Sequence, residues 1–166
     1  NPAITLDGAI VSGNYSQIPI YWSAQLAGAM CGATLTVLHY GPHWSLTPDP
    51  KAKLGVFCTN AAVRNPIANL YSEALGTAML VLIAGAIFSQ GVSITGPAAG
   101  FGPWLVGSLV WGIGLSLGAT TGYAINPARD LGPRLVHDLL PSPGKGDSNW
   151  GYSWIPIVGE LTGGGV

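Results

Sequence analysis

Long uninterrupted apolar stretches dominate the pattern of hydrophobic and polar positions along this chain. No Asp, Glu, Lys or Arg occurs between Asp7 and Asp49, or between Glu73 and Arg129. Each interval exceeds the ~20 residues that an α-helix needs to cross the hydrocarbon core of a bilayer. The pattern therefore predicts membrane-spanning helices, and the start of one more, at residues 18–40, 67–88, 101–122 and 154–166.

Two further apolar segments, at residues 1–12 and 127–140, are too short to cross. A helix rises about 1.5 Å per residue, so each segment reaches roughly half of a hydrocarbon core about 30 Å thick. Each of them opens with the same triplet, Asn-Pro-Ala. The connections between the predicted helices are short or polar, so residues 1–166 are interpreted as a single membrane domain.

The triplets Asn1-Pro2-Ala3 and Asn126-Pro127-Ala128 have the chemistry of a helix start. Asn is a preferred N-cap, because its side-chain oxygen accepts a backbone N–H of the first turn, and Pro suits the next position because it has no N–H to lose. The side-chain NH2 group keeps two donors beyond the positive end of the helix. We expect both NH2 groups to be unused by the protein and free to bind an acceptor.

The number of crossings between the two short helices fixes how they face each other. If the first runs from the middle of the membrane to one face, three complete spans deliver the chain to the opposite face. The second must then re-enter from there, so the two N-termini meet at the midplane, as in an inverted repeat. Non-helical backbone at that depth must line a wet cavity or be buried in protein. Such a cavity suits neutral acceptors and disfavours cations and protons.

Composition narrows the class further. Charged residues make up 8% of the chain, against about 25% in a soluble domain, which indicates an integral membrane protein. The net charge of −1 gives no nucleic-acid signal. Cys31 and Cys58 are expected to be unpaired, and the three dispersed histidines show no metal-ligand spacing and are assigned to loops or the membrane interface: His39, His43 and His137. No metal, cofactor or catalytic set is expected.

Residues near the predicted span ends fit a membrane boundary. Five tryptophans are expected in an aromatic belt: Trp22, Trp44, Trp104, Trp150 and Trp154. Four cations map to one face of the membrane: Lys51, Lys53, Arg64 and Lys145. The positive-inside rule would make that face cytoplasmic.

The paired triplets resemble those of the aquaporin family, and Arg129-Asp130 with Gly132-Pro133 is similar to its glycerol-facilitator branch. The resemblance covers essentially the whole chain. It implies an all-α, right-handed helical bundle with two re-entrant half-helices, in a multi-pass protein of the plasma membrane that assembles as a homotetramer. It also implies that the first two helices and most of the sixth lie outside this chain. Its topology would make the face that carries the four cations extracytoplasmic.

The resemblance assigns pore residues one by one. Asn1 and Asn126 match the paired pore asparagines, and Arg129 matches the arginine of the narrow selectivity filter. Tyr123 stands where glycerol facilitators usually have Phe. Gly114 stands at the filter position that is His in strict water channels and Gly in glycerol channels, so the filter should be wide enough for a carbon chain.

Backbone and supporting residues complete the expected site. Backbone carbonyls from Gly122 through Ala124 to Ile125 should accept hydrogen bonds from solute hydroxyls, because this stretch is non-helical. Glu73 is a costly carboxylate inside a predicted span, and the resemblance assigns it the support of a pore loop. Asp130 is interpreted as a loop-fixing acceptor, and Gln25 needs a partner inside its span.

The function expected is a passive channel for glycerol and similar small neutral solutes, with water, across the lipid bilayer; urea and lactic acid are further candidate solutes. A mainly water-conducting aquaporin is the alternative within the same class. A secondary transporter that uses Glu73 as a proton site ranks lower, because the sequence offers only one convincing intramembrane carboxylate. A membrane enzyme has no credible catalytic residues.

Overall fold

The computed structural model describes residues 1–166 and contains helices and connections but no strand. The helices, in chain order, are α1 (Pro2–Ser12), α2 (Ile18–His39), α3 (His43–Leu46), α4 (Pro50–Phe57), α5 (Pro66–Phe88), α6 (Gly102–Leu117), α7 (Pro127–Leu139) and α8 (Trp150–Gly163).

Three boundaries differ from those predicted. The segment predicted as a loop between Gly41 and Arg64 contains α3 and α4; α4 begins where Asp49 accepts from the Lys51 N–H at 2.9 Å. Helix α6 ends at Leu117 rather than at residue 122, where the chain turns back towards the second triplet. Helix α8 begins at Trp150, ahead of the predicted residue 154.

One helix, Pro66–Phe88, is both long enough and apolar enough to cross a membrane by these two criteria, with a mean hydropathy of 1.7 over its best window. Helix α2 has 22 residues but is less apolar. Helix α6 is apolar but has only 16 residues. The sequence predicted full spans in all three places, so two of them fall short of the length or the apolarity expected.

Helices α5 and α8 form the most extensive helix pair. Glycines make their close approach possible: a Cβ added at Gly159 would lie 2.9 Å from the Glu73 Cβ and 2.9 Å from the Leu70 carbonyl oxygen. Gly163, four residues on, lies directly against the Ala74 carbonyl. Small residues four apart let helix backbones touch inside a membrane, so this face fixes where α8 sits along α5.

The half-helix α7 lies along the first part of α8. At the start of α8, the Asn149 carbonyl accepts from the Arg134 side chain at 3.2 Å, in the body of α7. Further along α8, Glu160 faces the backbone amide of Asn126, which caps α7. Helix α7 therefore points its N-terminus towards the C-terminal end of α8.

The half-helix α1 lies along the last part of α8. A Cβ added at Gly164 would lie 2.9 Å from the Ala3 carbonyl oxygen, in the first turn of α1, and one at Gly165 would lie 3.9 Å from Ile10. The order along α8 is thus the body of α7, its tip, the tip of α1 and the body of α1. The two helix tips face each other, as the crossing count predicts.

About half of the large apolar side chains are exposed, and only 36 of 166 residues are buried. Trp111, which falls within the predicted span at residues 101–122, is 70% exposed on α6. The structure corrects the predicted positions of Trp44 and His137. Trp44 is 6% exposed, donates to the Val37 carbonyl at 2.9 Å and stacks on Phe57, so it belongs to the core rather than to an aromatic belt. His137 is buried within α7 rather than in a loop or interface.

Candidate functional site

Both asparagines cap their helices. Asn1 Oδ1 accepts from the Ala3 N–H at 3.0 Å, and Asn126 Oδ1 accepts from the N–H groups of Ala128 at 3.1 Å and Arg129 at 3.2 Å. The asparagines are themselves partly exposed. The other two residues of each triplet are buried and anchor the caps: Pro2, Ala3, Pro127 and Ala128.

The two side-chain NH2 groups are not equivalent. Asn1 Nδ2 donates to the Ile125 carbonyl at 2.8 Å, immediately before the second triplet. The expectation that both NH2 groups are unused is therefore wrong for Asn1, which keeps one of its two N–H donors. Asn126 Nδ2 has no acceptor within the protein. Three amide donors thus remain where the two tips meet.

The segment before the second cap has an unusual backbone. Gly122, Tyr123 and Ile125 adopt positive φ angles of 82°, 41° and 41°, a conformation that residues other than glycine rarely adopt and that is strained for the β-branched Ile125. The carbonyl groups of Gly122, Tyr123 and Ala124 accept no hydrogen bond from the protein. Ala124 is 2% exposed, so the whole residue, backbone included, lies almost entirely inside the protein.

Glu73 supports this segment from behind. Its two carboxylate oxygens accept from the backbone N–H groups of Ala124 at 3.2 Å and Ile125 at 3.1 Å. Glu73 is fully buried on α5, so both donors are satisfied away from water. A bidentate acceptor holds the backbone in its strained conformation and leaves the carbonyls on the other side unpaired.

Arg129 extends from the first turn of α7. Its guanidinium donates to the Phe57 carbonyl at 3.2 Å, and the side chain is otherwise exposed. A cation at this position opposes the helix dipole, yet a single carbonyl holds it. The remaining guanidinium donors face open space.

A buried ion pair fixes the loops around Arg129. Asp130 and Arg134, one helical turn apart, are both fully buried, and Arg134 Nη2 lies 2.8 Å from Asp130 Oδ2. Asp130 also accepts from the Thr59 N–H and hydroxyl, both at 2.8 Å, so it is a loop-fixing acceptor in this structure. Arg134 donates to the Thr59 carbonyl at 3.0 Å and to the Ser148 carbonyl at 2.7 Å. Sequence reasoning missed Arg134, although its i,i+4 spacing from Asp130 was a readable signal.

Three cavities follow one another past these groups, with volumes of about 700, 520 and 480 Å³. Arg129 lines both the first and the second. Asn1 and Gln25 line both the second and the third, and Asn126 lines the second. Gln25 Nε2 donates to Thr5 at 2.8 Å, while its carbonyl oxygen has no partner. The series places Arg129 and both asparagines along one path.

Tyr123 and Gly114 contact each other and do not line these cavities. A Cβ added at Gly114 would lie 2.8 Å from Tyr123 Cζ and 3.1 Å from its hydroxyl oxygen, so the ring occupies the space that a side chain at position 114 would fill. Gly118 contacts the same ring. Tyr123 is 40% exposed.

Glu160 is the main residue that sequence reasoning missed. It is fully buried on α8, and neither carboxylate oxygen has a hydrogen-bond partner. Its carboxyl group lies beside that of Glu73. The interpretation that Glu73 is the only convincing intramembrane carboxylate is therefore wrong. The signal was present, because Glu160 lies in the apolar run predicted to start the last span.

Cys58 borders the first cavity in the loop after α4. It is 2% exposed, and burial raises the pKa of its thiol to about 12. Both cysteines are free, as expected from the sequence, with Cys31 exposed on α2.

Comparison with known proteins gives a consistent result. Residues 1–166 match the major intrinsic protein family. The probable glycerol uptake facilitator protein of Thermotoga maritima is 53% identical over 165 residues, which cover 99% of this chain and 68% of that protein. The glycerol uptake facilitator protein of Bacillus subtilis is 50% identical over 99% of this chain, which spans 58% of that protein. The X-ray structure of the aquaglyceroporin from Plasmodium falciparum has a TM-score of 0.85 and 24% identity, over 99% of this chain and 67% of that chain, and shows the fold.

Proposed function

The chain belongs to the major intrinsic protein family of integral membrane channels, and from this premise we propose that it conducts glycerol and similar small uncharged solutes, with water, while it excludes ions and protons. The transport is passive and uncoupled. The relatives from Thermotoga maritima and Bacillus subtilis bear the name of glycerol uptake facilitators, which supports the choice of solute.

One observation carries the proposal: unpaired donors and an unpaired acceptor lie along one series of cavities. Asn126, whose NH2 group is free, lines the second cavity, and Gly122, whose carbonyl is unpaired, lines the first. A hydroxyl group both donates and accepts. A polyol passing the site can therefore exchange its water hydrogen bonds for amide donors and backbone acceptors without leaving either kind unsatisfied.

Charge supports the exclusion of cations. The positive ends of α1 and α7 face each other, with Arg129 beside them. Helix N-termini carry a partial positive charge of roughly half an elementary unit each, and in a narrow lumen such fields oppose the entry of cations and protons. The carboxylates nearest the tips, Glu73, Asp130 and Glu160, are all fully buried behind the lining, and the charge of Asp130 is matched by Arg134.

The preference for glycerol over water depends on Gly114 and Tyr123. The Tyr123 ring occupies the space that a side chain at position 114 would fill. Its exposed part offers an apolar wall to the carbon chain of a polyol and a hydroxyl group at the end of the ring. A mainly water-conducting channel remains the alternative, favoured if the Tyr123 hydroxyl narrows the lumen.

A proton-coupled transporter is a second candidate because Glu160 supplies the second buried carboxylate that the sequence seemed to lack. Against it, neither Glu73 nor Glu160 lines any of the three cavities. A coupling site must exchange protons with both sides of the membrane, so the passive channel is the better supported function.

We also infer that the protein assembles as a homotetramer with one pore in each subunit, as the family resemblance implies. The outward apolar face of α6 supports this, with Trp111 and Leu115 exposed by 70% and 75% and one turn apart. Native mass spectrometry of the protein in detergent should give a mass of four subunits; a monomer at all lipid and detergent ratios would contradict it.

Stopped-flow flux in proteoliposomes tests the proposed function. The full-length protein should accelerate glycerol entry in near-linear proportion to the gradient, with urea, lactic acid and water measured alongside, and an imposed proton gradient should change nothing. Empty liposomes give the baseline. Saturating flux driven by the proton gradient would favour the transporter, and water flux without glycerol flux would favour the strict water channel.

A further inference from the structure

Two carboxyl groups lie together in the interface between α5 and α8. Glu73 and Glu160 are both fully buried. Gly159 allows the helices to approach so closely that its added Cβ would lie 2.9 Å from the Glu73 Cβ. The residue after this contact is Glu160, and its carboxyl group faces that of Glu73.

The hydrogen bonding of the two groups is opposite. Both oxygens of Glu73 accept backbone N–H groups, from Ala124 and Ile125. Both oxygens of Glu160 are unpartnered, although the Asn126 backbone amide faces them. An ionised carboxylate is stabilised by N–H donors. The arrangement therefore suits a charged Glu73 and leaves Glu160 without the donors that a second charge would require.

No cation neutralises the pair. From α5 the charged group facing Glu160 is Glu73, and from α7 it is Asp130, whose charge is matched by Arg134. Helix α1 carries Asp7 as its only ionisable side chain, and Asp7 does not act on Glu160.

About two turns before Glu160 on α8, Tyr152 is buried and its hydroxyl has no hydrogen-bond partner. The charged groups around this phenol include Glu73, Asp130, Arg134 and Arg64. Thr77, one turn after Glu73, is also buried with an unpartnered hydroxyl. The surroundings of Glu160 are therefore polar but supply no positive charge of their own.

We propose that Glu73 and Glu160 form a proton-sharing carboxyl pair, in which Glu160 holds the proton and positions Glu73 behind the pore segment. Two facing carboxylates without a cation cannot both ionise in a low dielectric. The Glu160 O–H donates to a Glu73 oxygen, and the other Glu160 oxygen accepts from the backbone N–H of Asn126. The pair then carries one negative charge, which the backbone N–H groups of Ala124 and Ile125 stabilise.

This pair gives the channel a built-in response to alkaline conditions. If the shared proton is lost, two negative charges face each other and Glu73 is repelled from Ala124 and Ile125. The backbone that presents the free carbonyls then loses its support. The inference goes beyond the proposed function, since the pair exists whether the solute is glycerol or water.

Infrared spectroscopy of the full-length protein in lipid tests the pair without any solute. At neutral pH a C=O stretching band of a buried protonated carboxylic acid is expected, and it should shift in D2O and disappear in Glu160→Gln. Asp7→Asn, which removes a half-buried carboxyl group on α1, is the matched control and should keep the band. Absence of the band in the wild-type protein, or its persistence in Glu160→Gln, would overturn the proposal.

Flux as a function of pH, with equal pH on both sides, tests the positioning role. Wild-type flux should fall reversibly at alkaline pH together with the infrared band. Glu160→Ala should lose flux several-fold at neutral pH, and Glu160→Gln should restore it and abolish the alkaline fall, because an amide still donates to Glu73 but cannot ionise. An alkaline fall that persists in a folded Glu160→Gln protein would contradict the pair. If these variants fail to fold, the wild-type band and its titration still decide.

Discussion

Asn1 and Ile125 join the two half-helices directly, because the side-chain NH2 group of the first cap donates to the carbonyl that precedes the second, at 2.8 Å. The bond links residues 124 positions apart. It fixes the distance between the two helix tips and occupies the Ile125 carbonyl. The other asparagine, Asn126, makes no such bond, and both of its side-chain donors stay free.

Replacing each asparagine by aspartate separates these two roles. Aspartate caps a helix as well as asparagine does, so both variants keep α1 and α7. Asn1→Asp places a carboxylate oxygen against the Ile125 carbonyl, and we expect it to lose about 1–3 kcal/mol of stability in thermal unfolding. Asn126→Asp breaks no bond within the protein and should unfold near the wild-type temperature. Equal melting temperatures for the two variants would contradict the asymmetry.

Both variants should also weaken the exclusion of cations. Each places a negative charge where two positive helix ends meet. We expect a measurable cation conductance in planar bilayers for Asn126→Asp, with glycerol flux reduced. A conductance no greater than that of the wild-type protein would show that the helix ends and Arg129 suffice on their own.

The contact between Gly114 and Tyr123 predicts a second effect. Gly114→Ala puts a methyl group 2.8 Å from Tyr123 Cζ, so the ring must move from its place. We expect glycerol flux to fall more than water flux, and the larger imidazole of Gly114→His to block glycerol while it spares water. Gly112→Ala lies on the same helix with no atom within 4 Å of the added Cβ. It is the matched control and should leave both fluxes unchanged.

The packing of α8 on α5 predicts a purely structural effect. Gly163→Ala forces a methyl group into the Ala74 carbonyl, and overpacking of this kind costs about 1–3 kcal/mol. Gly85→Ala, on α5, meets no atom within 4 Å and should be neutral or slightly stabilising, because Ala favours helix over Gly. In thermal unfolding in detergent, Gly163→Ala should have a lower melting temperature than Gly85→Ala. Equal stability would mean that the helices can slide apart at no cost.

The fold was readable from the sequence where one local rule decided each element. Long apolar runs located α2 and α5, the second despite Glu73, and the Asn-Pro pair located the starts of α1 and α7. The end of α6 at Leu117 was not readable, because the run continues through small apolar residues and the helix stops where Tyr123 folds back on Gly114 and Gly118.

The site was only partly readable for the same reason. Residue type pointed to the asparagines, Arg129 and Glu73. The bond from Asn1 to Ile125 joins residues far apart in the chain, and no local pattern encodes it. Glu160 was overlooked because its partner lies on another helix, so that its importance follows from the packing of Gly159 and Gly163.

Replacing Glu73 by its neutral isostere Gln should lower both the stability of the protein and its flux. Glu73→Gln keeps one oxygen to accept from Ala124 or Ile125, but its NH2 group then faces the other N–H. We expect about 1–3 kcal/mol of destabilisation from the unsatisfied donor, lower flux and no new dependence on a proton gradient. Gradient-driven accumulation in the wild-type protein that disappears in this variant would instead support coupling through Glu73.

Cys58 predicts how the protein behaves at high pH outside the membrane-spanning helices. Burial raises the pKa of its thiol from an ordinary 9.0 to about 12, and the thiolate is the reactive form. A group whose folded-state pKa is raised stabilises the fold below the unfolded pKa, and that contribution is lost as pH rises from 9.0 towards about 12. In a Cys31→Ser background, Cys58 should therefore resist alkylation by iodoacetamide until the protein approaches this range, and react at once after denaturation. Cys58→Ala should flatten the fall in melting temperature over the same range. Rapid labelling of the native protein near pH 8, where an ordinary thiol already reacts, would contradict the burial of this thiol.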